Sequence, residues 1–220
     1  MCHYFTSLDI PYTQWHRQLP VSALAPLVAA ASHILLLIRD DAIERFAQTH
    51  LAESDAVKIH FSGALNARGI YGAHPLMTFG ADLYAAEKYR DIYFIIDSNA
   101  PDFADLLPGL PNAHARLDTA QKAKYHALCV MAGNFSCLLW QKLFDTLQSD
   151  FDIPATAAAP YLKQQTENLL ADYQTALTGP LARGDTATIA RNMAALKDDE
   201  FQAVYHAFVE AYKGKQEKAS

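Results

Sequence analysis

His126 and Asn134 stand eight residues apart in the stretch "KYHALCVMAGNF". On an α-helix that spacing leaves an angular offset of only about 80°, so the two share a face. An imidazole that can carry a proton, beside an amide that can donate a hydrogen bond, is able to polarise a carbonyl or an imine. Lys122 and Lys124 lie a turn earlier and offer ammonium groups as alternatives. The structural alternative is equally open: a buried histidine and asparagine that satisfy each other or the helix packed against them. His60, Ser62 and Gly63 form a second group in "KIHFSGAL". They close an apolar, strand-like run, at the edge where open α/β sheets bind ligands. A histidine there can also be a core residue that donates to a carbonyl, and His74, before Pro75, is a weaker third candidate. Thr178, Arg183 and Asp185 come from "TALTGPLARGDTATIARNM", a loop shaped by Gly179, Pro180 and Gly184. Glycine permits backbone angles closed to other residues, proline removes a donor, and Asp185 can cap the helix after it. A plain helix–helix connector would use the same residues.

The elements that hold these groups follow from hydrophobic periodicity. "IPYTQWHR" (10–17), "HILLLI" (33–38), "AVKIHFSG", "GIYGAHPL", "DIYFIID" and "AHARL" read as strands, with "VSALAPLVAAA" and "DDAIERFAQTHL" as helices between them. The unbroken apolar character of "ILLLI" suits a strand covered on both faces, as in a parallel sheet with crossover helices. The first half is therefore α/β. After Leu117 the pattern changes: "TAQKAKYHALCVMAGNFSCLLWQKLFDTL" carries Gly133 as its only breaker and reads as one long, largely buried helix. Three more helices follow, in "AAPYLKQQTENLLADYQTAL", "TATIARNMAAL" and "DEFQAVYHAFVEAYKGK". Two domains are expected, residues 1–117 and residues 118–220.

Composition narrows the function. Of 220 residues 51% are apolar and 19% charged, with a net charge of -6. Lys and Arg are scattered, so nucleic-acid binding is not expected. The apolar runs "SALAPLVAAA" and "HILLLI" are short and interrupted, which argues against a membrane segment, and the start lacks the pattern of a secretory signal. Cys129 and Cys137 would be roughly 12 Å apart on one helix, too far to bridge. The three cysteines read as reduced thiols of a cytoplasmic protein. The nine histidines show no paired spacing of the HxxxH kind, so no metal site is expected. Four apolar-rich helices on a small sheet domain carry more hydrophobic face than one sheet edge can cover, which predicts a homodimer.

In order and spacing, "KIHFSGAL", "GAHPLMTF", "KYHALCVMAGNF" and "ALTGPLARGD" resemble a Rossmann-like reductase family with a helical C-terminal domain of unknown function. That family is similar to pyrroline-5-carboxylate reductase, ketopantoate reductase and the deazaflavin-dependent NADP reductases. The resemblance implies a 6-phosphogluconate-dehydrogenase-like architecture, an NADP cofactor and reduction of a small carbonyl or imine substrate, with a carboxylate as the best guess. It also implies that His126 takes the place of a lysine paired with Asn134, and that Thr178, Arg183 and Asp185 line a cleft facing it. Arg17, at the end of a strand, would favour the NADP 2′-phosphate. Asp40 and Asp41 follow the next strand, where relatives carry a cofactor-facing turn, although a simple helix cap is the alternative. Gly63 joins these as a cofactor contact. The sequence departs from the pattern in one respect. No GxGxxG turn is present, and the chain reads as beginning about two dozen residues late, so the dinucleotide is expected to bind poorly. A non-catalytic dimeric or ligand-binding protein on a degenerate Rossmann scaffold is the alternative.

Overall fold

The computed structural model describes residues 1–219. Five of the apolar runs become strands of one sheet: β1 (His33–Leu36), β2 (Val57–His60), β3 (Tyr71–Pro75), β4 (Phe94–Asp97) and β5 (His114–Leu117), in that spatial order. β1, β2 and β3 run parallel, β4 is antiparallel to β3, and β5 is parallel to β4. The helices of this half are α1 (Cys2–Ser7), α2 (Leu24–Ala30), α3 (Asp40–His50), α4 (Ala86–Arg90) and α5 (Phe103–Leu106). Alternation along the strands sorts the side chains. Ile59, Ala73, Phe94 and Ile96 enter the main core with Tyr4, Phe103 and Leu106. His60, Gly72, His74 and Asp97 take the intervening positions and so face the other way. A smaller core of Leu36, Ile43, Ala47, Leu51, Ala67 and Ile70 seats α3.

The N-terminal stretch departs from expectation. α1 is a helix, and the Tyr4 hydroxyl donates to Asn112 Oδ1 at 2.7 Å while its ring stacks on Tyr89. Residues 10–16, however, form no strand. Pro11 lacks the N–H that a ladder needs, Trp15 packs on Phe46 and donates to Pro20 O, and among the described residues nothing pairs with β1 on its outer side. Arg17 is therefore an exposed turn residue rather than the end of a strand.

The long helix is present as α6 (Lys122–Val130), a π-helical stretch (Met131–Phe135) and α7 (Ser136–Ser149). Its expected burial is not: Leu128, Met131, Phe135 and Leu138 are about half exposed. Apolar periodicity shows that a helix has a face to cover, not what covers it. By length and composition the helix Thr119–Ser149 could cross a bilayer. Its first turns, however, are bonded to a sheet through Lys122, which is not how a lipid-embedded segment begins.

The chain divides into two compact units, Met1–Trp140 and Gln141–Ser220. The division falls inside the long helix and not near Leu117, because α6 is fastened to the sheet. The second unit holds the rest of α7 with α8 (Ala159–Ala171), α9 (Gly179–Arg183), α10 (Thr186–Ala195) and α11 (Gln202–Ala219). Lys142 pairs with Asp199 at 2.8 Å, and Asn192 donates to the Tyr205 hydroxyl at 3.1 Å. Among its described residues only Ala158 and Val209 are buried apolar side chains.

Candidate functional site

Two glycines let α6 approach the sheet. A Cβ on Gly63 would lie 2.4 Å from His126 Cδ2 and 3.1 Å from His74 Cδ2. A Cβ on Gly72 would lie 2.4 Å from Lys122 Nζ and 2.8 Å from Asp97 Oδ1. Lys122 and His126 are one helical turn apart, so a single edge of α6 rests on both glycines. Gly63 follows β2 and Gly72 lies within β3, on the face that also carries His60, His74 and Asp97.

Each neighbour has a defined partner. Lys122 Nζ donates to Asp97 Oδ1 at 2.7 Å, with both side chains almost fully buried. Asp97 Oδ2 accepts from Gly72 N at 2.6 Å. His74 Nδ1 meets the Tyr125 hydroxyl at 2.8 Å, and the His74 and His126 rings lie edge to face at 5.8 Å. Burial, followed by its hydrogen bond with Cys129, pushes the Tyr125 phenol up, so it stays protonated. Ser62 donates to Asp40 Oδ2 at 2.5 Å, while its oxygen accepts from Ala64 N and Leu65 N. Its backbone N–H donates to His60 Nδ1 at 3.2 Å. His60 is fully buried, and its Nε2 is the buried side-chain atom without a partner among the described residues.

Burial pushes both His60 and His74 down to about 4, helped by Lys122 at His60 and by His126 and Lys122 at His74. Both rings are thus neutral at pH 7. The unfolded chain takes up these protons near pH 6.5 and the folded chain only near 4, so stability is full above about 6.5 and falls as pH drops towards 4. At roughly 1.4 kcal/mol per pH unit and ring, discounted for the partial exposure of His74, a loss of a few kcal/mol is expected. Urea midpoints at pH 7 and pH 4.5 measure it. A flat profile would mean that both rings are solvated.

The remaining candidates are distributed more widely. Asp40 and Asp41 open the first turn of α3, while Arg39 occupies its N-cap position and grips Asp41 bidentately at 2.8 and 3.1 Å. They support the helix dipole rather than capping it. Asn134 lies exposed in the π-helical stretch, about 12 Å along the helix from His126. Lys124 is exposed as well. Thr178, Arg183 and Asp185 belong to the second unit. Gly179 and Gly184 have φ of 84° and 65°, which answers why glycine stands at both. Asp185 caps α10 by accepting from Thr188 N and its hydroxyl at 2.9 and 2.7 Å, and Arg183 is exposed. Two members of the cluster, Asp97 and Tyr125, lay outside the sequence candidates.

The residues present do not make the pyrophosphate half of a dinucleotide site. The sequence holds no GxGxxG turn, and the N-terminus of α3, which opens at the end of β1, already carries Asp40 and Asp41. Carboxylates there repel a phosphate.

A mostly parallel sheet with flanking helices and a helical C-terminal region is the architecture of the Rossmann-like reductases. Residues 92–212, more than half of the chain, match the model of the domain of unknown function DUF2520, and the protein belongs to that family. Solved structures share the fold. A Bacteroides fragilis protein named as a candidate NADP oxidoreductase is 20% identical, with a TM-score of 0.70 over 86% of this chain and 78% of that one. The Thermotoga maritima protein TM1727 is 22% identical, with a TM-score of 0.67 over 87% and 80%. Pyrroline carboxylate reductase of Plasmodium falciparum, solved with NADP bound, is 12% identical, with a TM-score of 0.52 over 97% and 91%. No curated protein matches the sequence.

Proposed function

We propose that this chain is the scaffold of a nicotinamide-dependent oxidoreductase, NADP by analogy with its structural neighbours, which reduces a small carbonyl or imine compound with His126 as the proton donor. The observation that carries the reading is the contact of His126 with Gly63 at the end of a parallel strand, beside His74. When bound, a reduced nicotinamide supplies a hydride to the substrate carbon. The substrate oxygen or nitrogen then needs a proton, which His126 can give. His74, hydrogen-bonded to Tyr125, lies edge to face against the imidazole. In the second unit, the Asp185 cap on α10 shapes the loop that carries Thr178 and Arg183.

The missing cradle favours a second reading, a ligand-binding protein without turnover. Fluorescence titration separates the parts of the claim. NADPH is expected to bind this chain well above micromolar concentration, because the residues present supply no pyrophosphate donors. Micromolar binding would show that other groups of the chain hold it. The first reading then requires hydride transfer at millimolar NADPH, and the second forbids it.

The same reading includes a homodimer. The second unit exposes Leu170 by 83% and Tyr173 by 75% and buries almost no apolar side chain of its own. Such helices need covering, and a second copy is the simplest cover. Light scattering at working concentration is expected to give twice the chain mass, and a monomer would contradict it.

A further inference from the structure

One buried hydrogen-bond donor on this face of the sheet has no acceptor among the described residues, and the Lys122 ammonium on the same face has more N–H groups than its one carboxylate partner takes. Ser62 N–H occupies Nδ1 of His60, so the proton of the neutral ring sits on Nε2, and that N–H is wholly buried and unpartnered. His60 is paired across β2 and β3 with Gly72, and the space above Gly72 holds the Lys122 ammonium. That ammonium has three N–H groups and one carboxylate partner, Asp97. Protein interiors seldom leave such groups unmet.

The local charge selects what can meet them. Lys122 and Asp97 cancel, and His60 is kept neutral by burial and by Lys122. A neutral acceptor can enter without leaving a net buried charge. A carboxylate would add an uncompensated negative charge, and an iminium would add a positive one while offering no lone pair. We propose that His60 Nε2–H and the Lys122 ammonium together bind one neutral carbonyl oxygen, that of a ketone or aldehyde, and reject an iminium. This rests on the reductase reading above and narrows its substrate class. Negative charge gathering on that oxygen during reduction is met by the same two donors, already oriented.

The test uses the whole chain with ¹⁵N-labelled histidine and no cofactor. Isobutyramide serves as a stable neutral carbonyl, pyrrolidine as a cation shaped like a protonated cyclic imine, and acetate as the anion. Isobutyramide alone should shift the His60 Nε2 signal saturably. His60→Asn keeps an acceptor for Ser62 N–H but does not reach the Nε2 position, and it should weaken that binding tenfold or more. An unmoved His60 signal at the solubility limit would mean that these donors hold buried water only. Equal binding of pyrrolidine or acetate at His60, or unchanged amide binding by a folded His60→Asn, would also overturn the proposal. If His60→Asn does not fold, the wild-type shifts decide. Amide binding without any hydride transfer from NADPH would instead remove the reductase reading and leave this inference standing.

Discussion

His126→Ala is expected to lower NADPH-dependent carbonyl reduction on the order of 10²-fold or more, the usual loss when a general acid is removed. The effect should fall on kcat, because the proton is delivered only as charge develops on the substrate atom. Folding should change little. His126 is half-buried and rests on a glycine and the edge of another imidazole, so truncation opens space towards solvent and strands no charge. A packing role makes the opposite forecast: stability falls by roughly 1–3 kcal/mol and turnover changes little. Steady-state kinetics and urea denaturation on the same preparation separate the two outcomes.

Lys122→Met should have the largest effect on stability, a loss of about 3–5 kcal/mol, as is usual when one partner of a buried ion pair is removed. Asp97 would keep the Gly72 N–H bond but lose its counter-charge inside the sheet. α6 would lose the anchor that holds His126 over Gly63. Replacing both residues, Lys122→Met with Asp97→Leu, should recover part of the stability, because apolar groups can substitute for a buried pair while the Gly72 N–H loses its acceptor. Activity should not return, since the leucine restores packing without the ammonium. Denaturation midpoints of the single and double variants measure this. A single variant within 0.5 kcal/mol of wild type would mean that water reaches the pair.

The strands β1 to β5 were legible because each is a short apolar run between turn residues, and the C-terminal helices because their apolar residues recur at helical spacing. "IPYTQWHR" carries the same alternation and is not a strand. Alternation describes a chain that could pair, and these residues have Pro11 in them and no neighbour to pair with. His60, Gly63 and His126 could be found from sequence because strand ends and helix faces follow local rules. Asp97 and Lys122 could not be joined, since they are 25 residues apart and meet only where sheet order and strand alternation leave room. Gly72 inside "GIYGAHPL" was the available signal, because a glycine within a strand often marks a close approach. Asn134 was aligned with His126 on an ideal helix. The π-helical stretch shifts that phase, and the spacing rule does not contain it.

The most direct measurement is transfer of deuterium from 4-deuterated NADPH, at millimolar concentration, to a panel of small aldehydes and ketones, read by mass spectrometry of the product alcohol. The account predicts one deuterium on the carbinol carbon with wild-type protein, falling at least 10²-fold with His126→Ala. Unlabelled carbonyl recovered from every incubation, or equal labelling by wild type and His126→Ala, would contradict it.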